Sequence, residues 1–361
     1  MLKRRCQFIR SFQPAQCRSS LCFHPRNFLS LGLLVLLLII VVKFDTQNKN
    51  LIFSSTNITY YPSHFEYTWR NIVNDVNPVD CLQWEQDGVL GALLLEMANS
   101  SSYRDPSKIF DGNKRSSREI EPLVSFLRHP LSLFPGHRDR KTIMNKDYYM
   151  LPSIEEISQV RKKGGRLLFF DVGASLYDKG PGGDNGASLR WFVEKFNSYQ
   201  DLNHKNVPFD RIFAWEATPY KPEILWGSFP SQIVNVLQYF NVPADANPLG
   251  KMNPLRLLQE VANVDDFVIF KLDVDHQTTE LALIKQILSS TRVSSLIDEL
   301  FWEHHVAGSA MCCPALWKGK LGSGWSSMKF KVQPGHGETL AESFELFTEL
   351  RKRGIAAHSW V

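Results

Sequence analysis

Between Arg166 and Val306 the chain repeats one pattern: a short continuous apolar run ending in Gly or an acidic residue, then a segment of helical period. RLLFFDVGA (166–174), RIFAWEATP (211–219), IVNVLQYFNVPA (233–244), FVIFKLDVD (267–275) and SSLIDELFWEHHV (294–306) read as strands. SLRWFVEKFNSY (188–199) and TTELALIKQILSS (278–290) read as helices between them. Strands that are apolar throughout have to be covered on both faces, and helices at this spacing supply the cover. The expected fold is therefore α/β, a doubly wound, mainly parallel sheet. In such a sheet ligands lie beyond the carboxyl ends of the strands.

The polar residues that break the apolar pattern fall at those ends. Asp171, Gly173, Ala174 and Ser175 close or follow the first strand, Glu216 the second, Asp273 and Asp275 the fourth, and Glu303, His304 and His305 the last. Taken singly, each has a structural explanation: an acid caps the next helix, a Gly makes a turn, a His pair is merely exposed. Their common position is what points to a site. A Gly at a strand end lets backbone approach a ligand closely, and a carboxylate there can accept both hydroxyl hydrogens of a ribose.

FFDVGAS resembles the first motif of S-adenosylmethionine-dependent methyltransferases, and FAWEATPYKPEIL resembles their second. KLDVDHQTTELALIKQIL followed by LIDELFWEHHV is similar to the FkbM-type methyltransferases, in which a KxDxEG-like stretch, a helix and an acid-containing strand recur. The likeness covers roughly residues 165–306 and implies a Rossmann-like methyltransferase fold. It implies that Asp171, Gly173, Ala174 and Ser175 surround the methionine moiety, that Glu216 holds the ribose, and that Asp273 lies at the methyl-transfer end. Two departures stand out: SLYDKGPGGDNGAS (175–188) is inserted where a second Gly is usual, and Asp275-His276 replaces Glu-Gly.

The chemistry implied is modest. A sulfonium makes the methyl group electrophilic, so the protein aligns an acceptor oxygen and takes up its proton. His304 or His305 is the expected base, since imidazole titrates near neutrality. Alternatively Asp273, Asp275 and Glu303 hold a divalent metal, Mg or Mn, that acidifies the acceptor hydroxyl. The same hhhhDxD run also describes a Golgi glycosyltransferase, with Asp273 and Asp275 on the metal and diphosphate of a nucleotide sugar. A third reading is a non-catalytic protein that keeps the fold without the chemistry.

The N-terminus sets the compartment. Residues 1–27 carry Lys3, Arg4, Arg5, Arg10, Arg18 and Arg26 without an acid, which accounts for the net charge of +4 and leaves a nearly neutral remainder with no reason to bind nucleic acid. FLSLGLLVLLLIIVV, extended through Lys43 and Phe44 (28–44), is uncharged over its apolar part and reads as a signal anchor with the basic side cytoplasmic. VVKFDTQ offers no small-x-small cleavage site. The C-terminal bulk is then lumenal, in the Golgi or endoplasmic reticulum, with a glycan or small molecule as acceptor and the membrane reached through one helix. A mitochondrial presequence is the alternative.

Residues 45–80 read as a stem, 81–154 as a helical and irregular extension with a helix over Trp84–Ala98 and an exposed loop over 99–120, and 155–361 as the methyltransferase-like domain. Sequons at Asn57 and Asn99 suit a lumenal address, as does one disulfide from Cys81 to Cys312 or Cys313; three unpaired cysteines are the alternative.

Overall fold

The computed structural model describes residues 57–75, 105–113, 116–123, 146–178, 189–197, 207–304 and 339–360. Six strands build the central sheet: β4 (Leu167–Val172), β5 (Arg211–Trp215), β6 (Leu237–Phe240), β7 (Phe267–Leu272), β8 (Glu299–Trp302) and β9 (Ala356–Ser359). Their order is β6-β5-β4-β7-β8-β9 and every pairing is parallel. The chain winds outward from β4 to β6, then crosses back to β7 on the other side of β4.

The alternation of side chains within each strand explains the two layers of helices. Leu168, Phe170, Val172, Val268, Phe270 and Leu272 point to one face. There they pack on α6 (Pro254–Val261), α7 (Gln277–Ser289), α8 (Thr291–Ser294) and α9 (Leu340–Lys352). Leu167, Phe169, Phe267 and Ile269 point to the other, against α2 (Ile154–Lys162), α3 (Leu189–Asn197), α4 (Pro222–Ser228) and α5 (Ser231–Val234). Phe169 and Phe170 are both fully buried, on opposite faces; each such side chain contributes roughly 1.5–3 kcal/mol relative to exposure. Sequence-local signals fix the helix starts. Ser153 and Glu156 form a capping box before α2, and Thr339 and Glu342 form another before α9.

Each of the five runs expected as strands (166–174, 211–219, 233–244, 267–275 and 294–306) contains one, at 167–172, 211–215, 237–240, 267–272 and 299–302, and the helices expected over 188–199 and 278–290 form at 189–197 and 277–289. Three expectations are corrected. The segment read as stem contains β1 (Ile58–Tyr61) and α1 (His64–Asp75), and the segment read as an exposed loop contains β2 (Ser107–Asp111) and β3 (Ser116–Ile120). Together β1, β2 and β3 make an antiparallel sheet. The third correction is at the far edge, where β9 follows β8, so the series does not close at Val306. These elements are short and polar, and they hold through buried ionic contacts that apolar patterning does not register. Glu66 on α1 is fully buried and accepts from Tyr60 Oη, Ser107 Oγ, Leu123 N and Arg351 Nη1 at 2.6–3.3 Å. His358 on β9 sits between Glu121 (Nδ1, 2.7 Å) and Glu299 (Nε2, 2.6 Å), and Arg118 on β3 pairs with Glu299.

No helix among the described residues is long and apolar enough to cross a membrane. The expected anchor at 28–44, the expected helix over Trp84–Ala98, all six cysteines and Asn99 lie outside the described residues.

Candidate functional site

β4 is flanked by β5 and β7, so the turns leaving these three strands meet where the winding direction reverses, the position at which doubly wound sheets hold ligands. They enclose a cleft of about 700 Å³ lined by residues of all three turns, among them Gly173, Ser175, Glu216, Asp273, Asp275 and His276.

The turn after β4 is pressed between its neighbours. The N–H groups of Gly173 and Ala174 both donate to Trp215 O at 2.9 Å, and Asp273 N donates to Val172 O at 2.9 Å. Gly173 has φ +96°, and a Cβ there would stand 1.6 Å from the carbonyl oxygen of Asp273. Only glycine fits.

Beneath this turn lies an ionic floor. Lys271, fully buried, places Nζ 3.1 Å from Asp171 Oδ1, 2.8 Å from Gly173 O and 3.3 Å from Asp273 Oδ2. Burial alone would lower the Lys271 pKa, but the Asp171 and Asp273 carboxylates outweigh it and hold the ammonium charged. Asp171 is pushed up to about 6, chiefly by burial, with Lys271 opposing and the Asp273 and Glu216 charges adding.

Glu216 is fixed at the end of β5. Its Oε2 accepts from Ser175 N at 2.9 Å and its Oε1 from Thr218 N at 2.5 Å. Asn241 braces the same turn, donating to Glu216 O and Thr218 O and accepting from Tyr220 N. Tyr239 donates to Ser175 O at 2.9 Å; burial, then the Glu216 charge, raise its pKa and keep the phenol protonated. Each carboxylate oxygen has a second lone-pair direction, so Glu216 can still accept hydroxyl hydrogens from a ligand.

The turn after β7 carries Asp273, Asp275 and His276. His276 caps α7, its Nδ1 accepting from Thr279 N and lying 2.8 Å from Thr279 Oγ1. One carboxylate oxygen from each of Asp273, Asp275 and Glu303 lies within 4.8 Å of the others, a donor set suited to Mg or Mn. Among the described residues, the two non-glycine residues with positive φ are Ser175 (+55°) and Asp275 (+54°), and both line the cleft. Such backbone costs of order 1 kcal/mol or more and clusters at functional sites.

The structure thus gathers Gly173, Ser175, Glu216, Asp273 and Asp275 in one cleft, with Glu303 beside the two aspartates. Ala174 is buried behind the lining and Asp171 lies in the floor. His304 does not join the cleft lining. It is buried, stacked on Trp302 at 4.0 Å between ring centroids, with Nδ1 2.7 Å from Ser343 Oγ on α9. His305 lies outside the described residues. Sequence reading passed over Lys271, although a lone Lys inside an apolar strand run is a usable signal, since a buried ammonium has to find carboxylates. Asn241, Tyr239 and Thr279 carried no such mark.

A six-stranded parallel sheet with interleaved helices and a cleft at the winding reversal define a Rossmann-like α/β protein. No protein-family model, curated protein or solved structure matches the chain.

Proposed function

We propose that the cleft binds S-adenosylmethionine and that the protein is a methyltransferase acting on a hydroxyl of a glycan or small molecule in the secretory pathway. The observation that carries this reading is the charge of the cleft. Among the described residues its lining holds three carboxylates, those of Glu216, Asp273 and Asp275, and no Lys or Arg. A unit positive charge 4 Å from one carboxylate gains about 4 kcal/mol at an effective dielectric of 20, and a diphosphate is repelled to a similar extent. A sulfonium cofactor with a ribose diol suits such a wall; a bare dinucleotide does not. The first turn also has a single close-approach glycine, Gly173, instead of the G-x-G-x-x-G that dinucleotides use.

In this reading Glu216, held from below by Ser175 N and Thr218 N, orients the ribose, and Gly173 leaves room for the methionine portion. The bound cofactor supplies an electrophilic methyl group. Asp273, fixed by Lys271, takes the acceptor's proton as the acceptor oxygen gains the methyl. The basic leader and the apolar segment 28–44 support a lumenal, type II placement of the domain.

One observation favours a second reading. The grouping of Asp273, Asp275 and Glu303 suits Mn or Mg, and a metal there would offset most of the local negative charge and offer a cation to the diphosphate of a nucleotide sugar. Transfer of labelled methyl from S-adenosylmethionine to a panel of glycan and small-molecule hydroxyls separates the readings. Label in the acceptor, reduced at least tenfold in Asp273→Asn, supports the methyltransferase. Glycosyl transfer from a nucleotide sugar with Mn contradicts it.

A further inference from the structure

Glu280, in the first turn of α7, is fully buried, yet none of its polar atoms takes part in the cleft lining. Its two carboxylate oxygens serve two different chain segments. Oε1 accepts from Val274 N at 3.0 Å and Oε2 from Trp302 Nε1 at 3.3 Å, while the Glu280 backbone N–H donates to His276 O at 3.1 Å. Val274 lies between Asp273 and Asp275, and Trp302 immediately precedes Glu303. One buried carboxylate therefore ties the two turns that carry the acidic group Asp273, Asp275 and Glu303, the first two of which line the cleft.

We infer that Glu280 is a positioning residue that sets the separation of Asp273, Asp275 and Glu303 and thereby the cleft's affinity for its ligand. The inference rests on the reading of this cleft as the ligand site. The chemistry of the side chain is specific. A carboxylate accepts on both oxygens, whereas the isosteric amide of Gln accepts on one and donates on the other. With N–H donors on both sides, Glu280→Gln keeps the volume of the side chain and breaks one of the two ties. A residue that only fills space would tolerate the change. A positioning residue behind a ligand-binding wall, when altered, weakens binding by about 10-fold or more.

The test compares the full-length wild type with Glu280→Gln and, as a second variant, Trp302→Phe, which removes the indole N–H along with part of a buried ring. Two quantities are measured: affinity for S-adenosylmethionine and for Mn alone by calorimetry, and amide exchange over 273–277 against exchange in β4. The expected result is exchange about tenfold faster over 273–277 with β4 unchanged, and affinity about tenfold weaker in a variant that still unfolds cooperatively. Wild-type affinity in either folded variant overturns the inference. Should Glu280→Gln not fold, Trp302→Phe decides alone on the same criteria. Should the wild type bind neither probe, the functional reading fails on that ground, and the exchange comparison still decides the role of Glu280: acceleration confined to 273–277 supports it and unchanged exchange overturns it.

Discussion

Asp171 and Lys271 are register partners on β4 and β7 and form an ion pair at 3.1 Å in which neither side chain reaches solvent. The same ammonium holds Gly173 O and Asp273 Oδ2, so the sheet's internal electrostatics and the geometry of the cleft depend on one group. Burial outweighs the Lys271 ammonium, with the Asp273 and Glu216 charges adding to it, which is why Asp171 retains a raised pKa despite its partner.

That pKa makes a pH prediction. The folded value of about 6 lies above the ordinary carboxyl value of 3.8, so the native state holds the proton more tightly than the unfolded chain. The contribution is fully present below about pH 3.8 and is lost as the pH rises through about 6, on the order of 3 kcal/mol in all. Asp171→Asn should remove this loss. Urea unfolding at pH 4 and pH 7 should show the variant gaining roughly 2–2.5 kcal/mol relative to wild type between the two; a constant difference contradicts the assignment.

His358 predicts a loss of stability on the alkaline side. Burial alone would lower its pKa, but Glu121 and Glu299, one on each ring nitrogen, outweigh burial and raise it. The imidazolium's contribution is complete below the unfolded value of about 6.5 and is lost as the pH climbs through the raised folded value. His358→Gln should unfold with ~3–5 kcal/mol less stability at pH 6 and show a flatter decline from pH 6 to 9.5 than wild type. An equally steep decline would mean that the ring carries no proton there.

Two glycines should respond oppositely to the same change. Gly173→Ala puts a Cβ against Asp273 O at positive φ and should cost at least about 2 kcal/mol and weaken ligand binding. Gly227, in α4, has open space at its Cβ position, and Gly227→Ala should stabilise by roughly 0.5–1 kcal/mol. Thermal unfolding of both variants checks the pair; equal shifts would contradict the close approach of β4 and β7.

The strand ends were legible because composition and position coincide there. An apolar run such as LLFFDV has to lie in a covered sheet, and its terminal Asp-Val-Gly then has to lie at the ligand end. Glu216, Asp273 and Asp275 followed by the same logic. The legibility ends where pairing replaces patterning. Tyr60, Glu66 and Arg351 assemble from segments nearly 300 residues apart in sequence, and each is unremarkable locally. β9, AAHS, is fully buried although neither strand propensity nor hydrophobicity marks it, because its burial comes from β8 and from the His358 ion pairs. His304 was legible as a polar group at a strand end, but its direction was set by the stack on Trp302 and by Ser343 on α9, which no local pattern encodes.

The lumenal placement has its own test. Asn57 is exposed just before β1, where an oligosaccharide transferase can reach it. Expression in a secretory host should give a glycan-sized mass shift that glycosidase removes and Thr59→Ala abolishes. An unmodified chain that protease cleaves from the cytoplasmic side of intact microsomes would contradict the topology.

The central claim is that the cleft between β4, β5 and β7 recognises S-adenosylmethionine through Glu216. The most direct measurement is calorimetric titration of the full-length protein with S-adenosylmethionine and with nucleotide sugars, with and without Mn. The account predicts metal-independent binding of S-adenosylmethionine that Glu216→Ala weakens by at least about tenfold, equivalent to 1.4 kcal/mol or more. Metal-dependent binding of a nucleotide sugar, lost in Asp273→Ala and unchanged in Glu216→Ala, would contradict it.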